Sequence, residues 1–99
     1  MSVRLVITMQ ANPSKGAELA QTMGERCLAV QKEPGCEQFE VFRSALDPDK
    51  LVLLELWADQ AALDVHAKLN ASQPPNPAMA GLRAQGPGQR EDYEFNRTR

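Results

Sequence analysis

Few side chains in this 99-residue chain have types that could carry chemistry. His66 is the sole histidine and Trp57 the sole tryptophan, and Cys27 and Cys36 are the two thiols. Glu55 is the only acid inside the apolar run LVLLELW at residues 51–57. Histidine titrates near neutral pH, so His66 reads either as an acid, base or hydrogen-bond donor, or as an amphipathic helix residue bonded to water. Trp57 is either a core or interface residue, or the wall of a planar-ligand site with its indole N–H free to orient an oxygen. A carboxyl in such a strand needs a partner or a raised pKa. Glu55 therefore either reaches a rim or pairs with an arginine, or it binds a ligand.

Cys36, in EPGCEQFEV at residues 33–41, admits three readings: reactive thiol, metal ligand, or first buried residue of a strand. Cys27 and Cys36 do not have the spacing of a metal knuckle or a disulfide framework. Neither has a histidine close in sequence to activate it. Both read better as small buried hydrophobes. Asn70, Arg83, Arg90 and Tyr93 complete the polar candidates for a pocket. Dinucleotide, P-loop, zinc-protease and serine-hydrolase motifs are all absent, so the reading includes no cofactor and no metal.

The elements that must position these groups follow from periodicity. VRLVITM at residues 3–9 predicts a strand with Val3, Leu5 and Ile7 on one face. A helix follows, with Ser14 as N-cap and Leu19, Ala20, Met23, Cys27 and Val30 as its apolar stripe. It runs to Lys32, and Pro34-Gly35 ends it. EQFEVFR and LVLLELW, joined by the turn SALDPDK, predict an antiparallel hairpin. In it Phe39 and Val41 share a face, as do Leu51, Leu53, Glu55 and Trp57. Asp59 caps a second helix, AALDVHAKL, carrying Leu63 and His66 on one flank. Residues 71–88 read as an irregular connection with a helical turn near Pro77–Leu82, and QREDYEF as a fourth strand.

Strand, helix, strand, strand, helix, strand is the ferredoxin-like βαββαβ plan, an α+β fold with a four-stranded antiparallel sheet. The expectation is one domain over residues 1–99, with its core at about 3–95. Helices cover one sheet face, and the other still carries apolar groups. A second copy meeting it would make a homodimer. A net charge of -2, with acids among the bases, gives no general attraction to nucleic acid or anionic lipid. No run is apolar enough to span a membrane, and MSVRLVITM is not a signal peptide, so the expected setting is cytoplasmic.

With Glu33-Pro34-Gly35-Cys36 and the run Glu55-x-Trp57, Ala62-Leu63, His66, nearly the whole chain resembles the antibiotic biosynthesis monooxygenase (ABM) domain family. The resemblance implies a dimeric α+β barrel in which two ferredoxin-like subunits pair their sheets. It also implies a cofactor-independent monooxygenase that oxidises an aromatic quinol or polyketide-like phenol with molecular oxygen. Trp57 matches the family's cavity tryptophan and His66 a histidine often beside it, while Asn70, Arg83 and Arg90 have no assigned match. Two alternatives stay open: a non-catalytic protein binding a small aromatic ligand, and an oxygen-independent isomerase or cyclase on the same scaffold.

Overall fold

The computed structural model describes residues 1–84 and 88–96. The elements run β1 (Ser2–Gln10), α1 (Gly16–Val30), β2 (Cys36–Arg43), β3 (Lys50–Trp57), α2 (Gln60–Ser72), a 3₁₀ turn (Pro77–Met79) and β4 (Gln89–Phe95). The strands form one antiparallel sheet in the order β2-β3-β1-β4. This is the ferredoxin-like α+β architecture expected from the element order.

Alternation along the strands decides what each sheet face carries. On β3, Leu51, Leu53, Glu55 and Trp57 are buried beneath the helices, while Val52, Leu54 and Leu56 lie half-buried on the open face. Val3, Leu5 and Met9 of β1 and Phe39 of β2 join the covered side. Trp57, Leu5, Leu19, Leu51 and Val30 are the largest fully buried side chains, so the core lies between the sheet and α1. Each such residue contributes roughly 1.5–3 kcal/mol relative to exposure.

One strand departs from simple alternation. Cys36 pairs with Trp57 and Phe39 with Glu55, with a register shift between Cys36 and Gln38. This β-bulge lets Cys36 and Phe39, three residues apart, both face the helices. Cys27 is buried as expected, whereas Cys36 is only half-buried against the core; desolvation pushes both thiols upward in pKa.

The start of α1 corrects the expected cap. Ser14 is not the N-cap; it sits at φ 66°, and Lys15 takes the cap position without a side-chain hydrogen bond. Asp49, from the β2–β3 turn, supplies the missing acceptor: Oδ2 accepts from Ser14 N–H at 3.0 Å and Oδ1 from Gly16 N–H at 2.9 Å. The turn comes so close that a Cβ on Gly16 would lie 1.9 Å from the Pro48 carbonyl oxygen. The helix also stops at Val30, leaving Lys32 outside its last turn. Asp59 caps α2 as expected, accepting from Ala62 N–H at 2.8 Å.

Candidate active site

The site begins at the turn that ends α1. Gly35 adopts φ +80°, the left-handed region that favours glycine, and its carbonyl accepts from Ala58 N–H at 2.8 Å. A Cβ there would meet the Ala62 Cβ at 2.5 Å, so the turn lies directly against α2. Ala62 and His66 are four residues apart and share a helix face. The turn therefore brings Glu33 to His66, whose Nδ1 is 2.9 Å from Glu33 Oε1.

A carboxylate can only accept, so this contact places the imidazole proton on Nδ1. Nε2 is left as the ring's open hydrogen-bonding position. His66 is buried and lies over Trp57, with ring centroids 4.7 Å apart and planes inclined by 29°. Phe39 closes on the imidazole edge at 5.5 Å. The indole N–H of Trp57 donates to Glu55 Oε1 at 2.9 Å. A chain of contacts thus runs Glu33, His66, Trp57, Glu55.

Glu55 is 3% exposed, and Trp57 is its only hydrogen-bond donor among the described residues. Burial raises its pKa, and the indole bond and nearby His66 and Arg90 oppose that only in part. With Oε1 accepting from the indole, Oε2 is the oxygen left to hold a proton.

Glu55 and His66 line a cavity of about 610 Å³ between sheet and helices. Ile7, Met9, Phe39 and Leu53 form its apolar interior, and Arg26, Asn70, Asn76 and Arg83 are among its more exposed lining. Two acid/base groups in an apolar pocket can move protons to and from a bound hydroxyl. Among the described residues no cluster of three or more His, Cys, Asp or Glu could hold a metal ion. No helix there is long and apolar enough to cross a membrane.

The expected site residues divide clearly. His66, Glu55, Asn70 and Arg83 line the cavity together. Trp57 does not: it is 0% exposed behind His66, and its N–H is committed to Glu55 rather than free for a ligand. Glu55 faces the cavity with an indole partner; it neither reaches a rim nor hydrogen-bonds an arginine among the described residues. Tyr93 is paired with Arg4 on the opposite sheet face and donates to Glu91 Oε2 at 2.9 Å, so it cannot join this pocket. Arg90 is held by Asp92 at 2.7 and 2.9 Å.

Sequence reasoning missed Glu33, Phe39 and Arg26. Arg26 had a signal: Leu19, Met23, Arg26 and Val30 fall on one helical stripe, so an arginine interrupts an apolar face. Glu33 had none, because its partner lies 33 residues away.

The family model for antibiotic biosynthesis monooxygenase matches residues 2–73, which include Glu33, Glu55, Trp57 and His66. The chain belongs to the ABM family. No curated protein matches it in sequence. Among solved structures it is similar to PA3566 from Pseudomonas aeruginosa, with 20% identity, TM-score 0.76, and 97% of this chain and 95% of that chain covered. It is similar to Rv0793 from Mycobacterium tuberculosis, with 18% identity, TM-score 0.74, and coverage of 99% and 98%. A variant of SnoaB, a cofactor-independent oxygenase from Streptomyces nogalater, matches at 15% identity and TM-score 0.71, covering 98% of this chain and 95% of that one. At these identities the likeness is one of fold for an ABM chain.

Proposed function

We propose that this ABM protein is a cofactor-independent monooxygenase acting on an aromatic quinol or polyketide-like phenol. The observation that carries the reading is the pairing of an oriented imidazole with a buried carboxyl in one apolar cavity. Membership of the ABM family supports it.

His66 Nε2 takes the substrate's phenolic proton, and Glu33 stabilises the imidazolium that results. The electron-rich anion passes electrons to molecular oxygen, and a carbon–oxygen bond forms to give a peroxide. Glu55, whose pKa burial raises, delivers one proton as the oxygen–oxygen bond breaks. The imidazolium returns the phenolic proton to the departing oxygen, and the C–H bond at the oxygenated carbon breaks to restore the proton of Glu55. One oxygen atom stays as a carbonyl on the ring and the other leaves as water, so a quinol and O₂ give a hydroxyquinone and H₂O. The substrate supplies all four electrons. Trp57 serves from behind, supporting the imidazole face and holding Glu55 Oε1.

Metal-free protein mixed with a panel of naphthalene and anthracene quinols should show enzyme-dependent oxygen uptake. With ¹⁸O₂, one labelled atom should enter the product. The His66→Ala variant should lose roughly 10²–10⁴ of the rate. Product formed equally well without oxygen would indicate an isomerase or cyclase; binding without any product would indicate a carrier. Either result would sink the monooxygenase reading.

A further inference from the structure

The chemistry above uses the floor of the cavity and leaves its mouth unexplained. Arg26, half-buried on α1, donates from Nη2 to Asn70 Oδ1 at 2.9 Å, a neutral acceptor. Arg83 is anchored after the 3₁₀ turn, where its backbone bridges to Ala11. Neither side chain makes an ion pair among the described residues. The other described arginines have partners of their own and do not line the cavity. Arg90 grips Asp92, Arg43 Nε donates to the Pro48 carbonyl, and Arg4 bonds Gln38 and lies over the Phe95 ring.

Among the described residues the cavity therefore carries two guanidinium groups without carboxylate partners, on a chain of net charge -2. The only acidic side chain in its lining is Glu55, at the buried end and held toward its neutral form. Exposure rises along the pocket: Met9, Phe39, Leu53, Glu55 and His66 are buried, Arg26 is intermediate, and Arg83 is exposed. A ligand matching this gradient has an aromatic body, a hydroxyl at its deep end, and a negative charge at its outer end. Guanidinium groups suit a planar carboxylate, which accepts two parallel N–H bonds.

We propose that the cavity selects aromatic hydroxy-carboxylates, with Arg26 and Arg83 binding the carboxylate at the mouth while the hydroxyl meets Glu55 and His66. This rests on the reading of the cavity as an aromatic hydroxyl site, and it narrows the substrate class within that reading. The two arginines act as specificity determinants and take no part in the proton transfers.

The test compares 6-hydroxy-2-naphthoate with 2-naphthol, which differ only in the carboxylate, by anaerobic isothermal titration calorimetry. The acid should bind the wild-type protein about tenfold tighter at low ionic strength, and raising the salt should shrink that ratio. In the Arg26→Gln/Arg83→Gln variant the ratio should fall to about one, with naphthol affinity unchanged. Circular dichroism checks the fold. If the double variant does not fold, the single variants Arg26→Gln and Arg83→Gln should each lower the ratio. Equal wild-type affinities for the two compounds would overturn the charge selection and leave the aromatic cavity standing. A preference that survives the double substitution would overturn the assignment to these arginines. Binding of neither compound would overturn this inference and the aromatic reading together.

Discussion

At the scale of single residues, the site depends on what holds the imidazole. Glu33 touches His66 Nδ1 and does not line the cavity, so it is a positioning residue. Replacing Glu33 by Gln should lower kcat about 10–100-fold with little change in KM. Nitrogen NMR reads the cause directly, because the chain's one histidine gives one imidazole pattern. The Nδ1-protonated tautomer should dominate in the wild-type protein and lose that dominance in the variant. Glu55 predicts a different signature. Its folded-state pKa is raised, so the folded chain holds the proton to higher pH than the unfolded chain does. Its contribution to stability is fully present below the unfolded carboxyl value of roughly 4.3, and is lost as pH rises toward the folded value. Glu55→Gln should remove that loss, so urea unfolding at pH 8 should show the variant gaining relative to wild type, and at pH 4 much less. A gain of the same size at both pH values would contradict the assignment.

At the scale of elements, two glycines make opposite predictions. Gly35 has positive φ and no room beside Ala62, so Gly35→Ala should cost on the order of 2 kcal/mol and separate Glu33 from His66. Gly24 lies within α1, and a Cβ added there would meet nothing within 4 Å, so Gly24→Ala should gain roughly 0.5–1 kcal/mol. Thermal unfolding of the two variants should shift in opposite directions. The elements themselves were legible in the sequence, because period-two and helical patterns act locally. Both faces of β3 and the Asp59 cap followed from such patterns. Asp49 capping α1 from the β2–β3 turn and Glu33 reaching α2 were not legible, because each joins residues more than 30 positions apart. Trp57 was misplaced for a related reason. Alternation gives a side chain's sheet face but not whether another ring, here His66, lies between it and the cavity.

At the scale of the molecule, the open sheet face remains. Val52, Leu54 and Leu56 lie there half-buried, and Phe42 and Tyr93 are exposed on the flanking strands. An apolar face of this kind suits a second copy, and the pairing we propose is a homodimer through the sheet. Sedimentation should give twice the 10.9 kDa chain mass, and Leu54→Asp should shift it to monomer. A wild-type protein that sediments as a monomer at micromolar concentration would rule this pairing out. Because the cavity opens on the helix side, Leu54→Asp should disturb assembly more than ligand affinity.

The stacking of His66 on Trp57 has a practical consequence. The chain holds one of each residue, and the two ring centroids are 4.7 Å apart. An imidazole stacked on an indole and a carboxyl bonded to its N–H both alter its emission. The protein therefore contains its own optical gauge. The ultraviolet fluorescence of a single native chromophore reports directly on the packing of both groups the proposed reaction would use, with no label and no substrate.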